Sequence, residues 1–105
     1  MAAYFICTMT IHDFDNYKNY TALTPPTVAR YGGKFLTRGD AVLTVEGPEF
    51  SERLVILEFP DRATALSWYH DVDYQTACAF RRASSKGRMI LQEGRDNKMD
   101  PDPKI

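Results

Sequence analysis

The sequence predicts an α+β domain of β-α-β-β-α-β order, a ferredoxin-like sandwich in which helices cover one face of a four-stranded antiparallel sheet. Three observations carry this. Four segments rich in β-branched and aromatic residues are separated by two longer stretches with helical spacing of apolar residues. Aspartates stand where the helical stretches begin, at Asp13, Asp61 and Asp71, and a carboxylate there accepts the orphan N–H groups of a first turn. The strand segments also carry apolar side chains on both faces, so one layer of helices leaves a second face needing cover.

The first strand runs from Tyr4 to Ile11, with Phe5, Cys7, Met9 and Ile11 on one face and Tyr4, Ile6, Thr8 and Thr10 on the other. Asp13 then caps a helix presenting Phe14, Tyr17, Tyr20 and Leu23. Pro25 and Pro26 are expected to interrupt it, with Thr24 capping a new short helix that stops at Gly32-Gly33. Phe35 to Thr37 forms the second strand, ending in Arg38-Gly39-Asp40, and Val42 to Glu46 extends it or makes a small hairpin arm. Arg53 to Phe59 is the clearest strand. Asp61 and Asp71 cap the helical segments holding Ala65, Trp68 and Tyr69, and then Tyr74, Ala77 and Cys78, with Gly87 as the expected stop. Met89 to Leu91 makes the last strand. Residues 1–94 thus form one domain, and residues 95–105, polar and with two Asp-Pro steps, a flexible tail.

With 105 residues, 26% charged residues and a formal net charge of −1, the chain lacks the clustered basic surface that nucleic acid or an anionic membrane requires. Neither partner is expected. The apolar N-terminal run is too short for a signal peptide or a membrane span. Cys7 and Cys78 show no metal-type spacing and read as buried free thiols of a reducing, cytoplasmic compartment.

The string Ile11-His12-Asp13, Tyr17, Tyr20, Pro26, Tyr31-Gly32-Gly33-Lys34-Phe35-Leu36 and Arg38-Gly39 resembles a bacterial family, the domain of unknown function 1330. So do Leu57-Glu58-Phe59-Pro60, Trp68-Tyr69, Tyr74-Gln75, Arg81 and Gln92-Glu93-Gly94. The resemblance, which covers about Tyr4 to Gly94, implies membership of the dimeric α/β-barrel superfamily, in which two sheets pair face to face as a homodimer. That superfamily includes cofactor-free monooxygenases, lactone isomerases, haem-degrading enzymes and ligand-sensing domains, so it implies a pocket without naming a reaction. Asp40 departs from the family pattern, where a second glycine commonly follows Arg-Gly, and places a negative charge beside Arg38.

Six residues are candidates for chemistry. Arg38, at a strand end, either clamps a carboxylate or enolate, the role the resemblance supports, or pairs with Asp40 at the surface. His12 lies at a strand-helix junction, where it serves as acid or base or makes a single structural hydrogen bond. These two are the catalytic candidates. Tyr17, Tyr20 and Trp68 wall a ligand pocket or pack the core, and Arg81 points at the sheet or snorkels to water. The pairs His12-Asp13 and His70-Asp71 lie on separate elements and supply one histidine each, so neither a metal nor another cofactor is expected. The leading expectation is a small-molecule-binding homodimer, with cofactor-free chemistry on a small carbonyl or enolisable compound as its catalytic form. The alternative is a non-catalytic sensor or structural dimer.

Overall fold

The computed structural model describes residues 1–95; the tail expected from residue 95 lies, beyond Arg95, outside them. Strand β1 (Ala3–Ile11) leads into helix α1 (Phe14–Arg30), followed by β2 (Lys34–Arg38), β3 (Arg53–Phe59), α2 (Arg62–Tyr69), α3 (Val72–Ser84) and β4 (Ser85–Glu93). The strands form one sheet in the order β2-β3-β1-β4, and every neighbouring pair is antiparallel. This is the ferredoxin-like arrangement expected from the sequence. All three aspartates cap as expected: Asp13 accepts from the Asn16 N–H, Asp61 from Thr64, and Asp71 from Asp73 and Tyr74.

Period-two alternation sorts the strands. Phe5, Cys7 and Met9 of β1 and Val55, Leu57 and Phe59 of β3 are buried under the helices. On the outer face, Ile6 lies between Ile56 and Ile90 in the paired register, and Ile90 is 49% exposed. The shortest extent of the molecule is 19 Å, the thickness of one helix layer on one sheet, so nothing within the described residues covers that face. No helix among the described residues is long and apolar enough to cross a membrane.

Trp68 is fully buried, with its ring centroid 3.9 Å from that of Tyr74, 5.0 Å from Phe59 and 5.4 Å from Phe5. Its indole N–H donates to Thr27 Oγ1 at 3.0 Å, so the one polar atom of the side chain is satisfied. Next to this stack, Asp71 ties α3 to the end of α1: it accepts from the Tyr31 hydroxyl at 2.7 Å and from Arg30 at 3.1 Å, while Arg30 also reaches Asp73 at 3.0 Å. Gly32, at φ +68°, turns the chain out of α1 in the left-handed region that glycine enters without strain.

Three expectations need correction. Helix α1 runs through Pro25 and Pro26 without a break. The residues on both sides of the prolines are held from outside the helix: Tyr20 bonds Tyr74 at 2.9 Å, and Thr27 receives the Trp68 N–H. Thr24 also donates to the Tyr20 carbonyl at 2.6 Å within the proline turn. Tertiary anchoring on both sides of the prolines thereby offsets the cost of the missing N–H groups. Residues 42–46 neither extend β2 nor pair as a hairpin; they form an irregular stretch in which Leu43 and Val45 are open to solvent. Gly87 does not end α3. The Ser84 carbonyl accepts the His12 and Asp13 N–H groups, β4 starts at once opposite Ile11, and Gly87 sits within β4 opposite Met9.

Candidate functional site

The other end of the helix-sheet layer is loosely filled. Here β3 begins with Arg53, which has the same parity as Val55 and Leu57 and so faces the helices. In β2 a register shift between Phe35 and Thr37 inserts an extra residue, so Phe35 pairs with Leu57 while Arg38 pairs with Val55. That shift puts Phe35 and Arg38 on the same face, although strict alternation separates residues three apart. The Arg38 guanidinium stacks on the Phe35 ring, 3.6 Å from its centroid. The Ile56 N–H, displaced from the ladder, donates instead to Thr37 Oγ1 at 3.0 Å. From α3, Arg81 joins Cys7 and Met89 in this space, and its guanidinium lies 5.8 Å from the Tyr20 ring centroid.

These side chains enclose a cavity of about 40 Å³. Cys7, Met9 and Val55 form its floor, Tyr17, Tyr20 and Thr24 of α1 its roof, and Arg38, Arg53 and Arg81 also line it. On a scale where one water needs roughly 10–15 Å³, there is room for a few heavy atoms. Arg38 is exposed and Arg81 is only 9% exposed, so they mark the rim and the depth of the site. Arg53 lies 5.6 Å from the Tyr17 ring centroid and packs against Gly39, whose φ of +73° and missing Cβ both suit that contact. Met9 and Arg53 also line a wider surface groove of about 480 Å³ beneath the stretch that joins β2 to β3.

Charge at this site is one-sided. Among the described residues, no carboxylate forms an ion pair with Arg38, Arg53 or Arg81. Asp40 accepts the backbone N–H of Arg38 at 2.9 Å, so its carboxylate serves the turn. Arg81 donates to Cys78 Sγ at 2.8 Å, yet its Nε and that of Arg53 are buried with no hydrogen-bond partner. A guanidinium cannot shed its proton to escape burial, and an uncompensated buried charge costs several kcal/mol as an order of magnitude. The remaining polar groups stay neutral. Burial pushes the Cys7 thiol up to about 12 against the opposing influence of Arg81, and it pushes the Tyr20 hydroxyl up to about 12 against Tyr74 and Arg81. Burial also raises Tyr17, with Arg53 opposing. The site therefore offers fixed positive charge and neutral hydroxyl donors, and its lining contains neither a histidine nor a carboxylate.

A family profile described as a domain of unknown function, DUF1330, matches residues 2–95. The chain belongs to this family. No curated protein matches it significantly. Among solved structures, a Rhodopseudomonas palustris protein of unknown function is similar, with a TM-score of 0.74 at 21% identity over 91% of this chain and 84% of that one. SnoaB from Streptomyces nogalater, a cofactor-independent oxygenase, has a TM-score of 0.60 at 16% identity over 94% and 98% of the two chains. A Bacteroides fragilis protein, described as dimeric, of unknown function and ferredoxin-like, has a TM-score of 0.59 at 9% identity over 89% and 96%. At such identities the likeness is one of fold.

Within this member of the family, Arg38, Tyr17, Tyr20 and Arg81 come together around the cavity. Trp68 lies in the aromatic stack outside the lining. His12 is exposed at the junction of β1 and α1, its N–H given to Ser84, and it does not line the cavity. Sequence reasoning passed over Arg53, although its parity with Val55, Leu57 and Phe59 was visible in the sequence.

Proposed function

We propose that this protein is a homodimer that binds a small organic molecule at the arginine-lined cavity beneath α1, without a resident cofactor. The observation that carries the reading is the convergence of Arg38, Arg53 and Arg81 on one cavity with no acid among the described residues to neutralise them. Arg38 at the rim provides a planar, exposed guanidinium able to swing off Phe35 and admit a ligand larger than the resting cavity. With no base in the lining, the residues there bind and stabilise negative charge and do not themselves abstract a proton at neutral pH. Cofactor-free chemistry at this site would act on a carbonyl compound that ionises readily by itself, the arginines holding the resulting enolate. The cofactor-independent oxygenase with the same fold supports that direction.

The uncovered outer face, with Ile6, Ile56 and Ile90 abreast, supports pairing of two sheets as a face-to-face barrel, and a fold neighbour is described as dimeric. Screening small carbonyl compounds and organic acids by protein-observed NMR tests the binding reading. Hits are expected to shift Tyr17 and Tyr20 signals, and Arg38→Ala to weaken them at least tenfold with the fold intact. A screen in which no compound perturbs these residues leaves the non-catalytic structural dimer as the function. Light scattering that shows a monomer at micromolar concentration overturns the dimer.

A further inference from the structure

We propose that the cavity selects the carboxylate of a small monoanionic organic acid, held deep in the site between Arg81 and Arg53. This rests on the small-molecule reading above and names its ligand class. Arg81 is nine-tenths buried and lines the cavity, as Arg53 does, and the Nε of each is buried with no hydrogen-bond partner. Two arginines lining one void can offer guanidinium N–H donors to the two oxygens of one planar carboxylate, each taking a charge-assisted bond. A ligand anion would also compensate the buried guanidinium, which no side chain among the described residues does.

The surroundings argue for a carboxylate over a phosphate. Phosphate sites generally present free backbone N–H groups at a helix N-terminus or a nest. Here the floor belongs to ladder-paired strands and the roof to the interior of α1, so side chains alone are on offer. The cavity has room for a few heavy atoms, enough for a carboxylate head. Beyond Met9 and Arg53, the wider groove contains Ile11, Phe14, Val42 and Phe50, which suit an apolar body, and Asp40 and Glu52, which disfavour a second negative charge there. The ligand is thus an acid with one charged end and an apolar remainder.

Titration of the full-length protein with benzoate and butyrate, followed by NMR and thermal shift, tests this, with benzamide, methyl benzoate, succinate and inorganic phosphate as comparators. The expected result is saturable binding of the two monocarboxylates, at least tenfold weaker binding of the neutral analogues, succinate and phosphate, and at least tenfold weaker benzoate binding in Arg81→Met. Arg53→Gln supplies the same readout should Arg81→Met fail to fold. Equal binding of benzamide or methyl benzoate, or unchanged benzoate affinity in the folded arginine variants, overturns the carboxylate assignment while leaving a small-molecule site. Phosphate binding as tight as benzoate makes it an inorganic anion site and also overturns it. If neither these compounds nor the wider screen perturbs Tyr17 and Tyr20, the binding reading fails with it.

Discussion

The two ends of the helix-sheet layer handle polar and charged groups in opposite ways. At one end Trp68, Phe59, Phe5 and Tyr74 fill the interior, and Arg30 reaches two carboxylates, Asp71 and Asp73. At the other, Arg38, Arg53 and Arg81 surround a void and pair with no acid among the described residues. One end is built to hold the fold together. The other holds three arginines without a carboxylate partner among the described residues, and the proposed binding site rests on that. The contrast teaches that an arginine in this protein is read by its partners and its burial: Arg30, half exposed, pairs with two carboxylates, whereas Arg81, buried, pairs with none among the described residues.

Substitutions at the two ends should therefore differ in sign. The largest effect is expected for Trp68→Ala, which empties the filled end and should lower stability by about 3–5 kcal/mol in urea unfolding; a loss below about 1 kcal/mol would break the picture of a packed end. Extremes of pH should divide the ends next. In the folded state Cys7 titrates at about 12 in place of 9.0, and Tyr20 at about 12 in place of 10.0. Both groups are protonated in both states below pH 9; above it the unfolded chain ionises first, so stability is lost progressively between about pH 9 and 12. Thermal scans across that range should show a falling Tm, with a shallower slope in Cys7→Ala.

Acid acts at the filled end. The hydrogen bond from Tyr31, foremost, holds the Asp71 carboxyl below its ordinary 3.8, so its contribution is present above that value and lost as pH falls through the lowered one. Asp71→Ala should lower Tm by roughly 4–8 °C through loss of the cap, and should flatten the acid limb below pH 4. Arg81→Met should have the smallest effect, with Tm unchanged or raised by a few degrees, because an aliphatic side chain replaces a buried charge that lacks a compensating acid. A drop in Tm as large as that of Asp71→Ala would place Arg81 with the structural arginines and remove the contrast.

Much of the frame was legible in the sequence because its signals are local. Asp13, Asp61 and Asp71 cap because a carboxylate one residue ahead of a helix meets free N–H groups whatever lies elsewhere in the chain. The alternation Arg53-Val55-Leu57-Phe59 assigns a face to each residue of β3 by the same kind of rule, and it carried Arg53 into the site although that residue was read only as a strand start. Proline chemistry is local too, but here it misled: Pro25 and Pro26 stay within α1 because Tyr20 and Thr27, on either side of them, are anchored to Tyr74 and Trp68, 54 and 41 positions away in the chain.

What the sequence by itself determined was the order of elements, the three capped starts and an excess of apolar residues over what one helix layer could cover. Tertiary structure alone decided which polar residues meet. Arg38 faces the cavity because the register shift in β2 is set by pairing with β3, and Arg81 reaches it from α3, a helix whose Ser84 carbonyl is tied to the His12 and Asp13 N–H groups. Both facts depend on contacts between residues distant in sequence, and the free energy of such contacts is not encoded in any short window. The cavity exists for the same reason: it is the space left between elements once each has found its own partners.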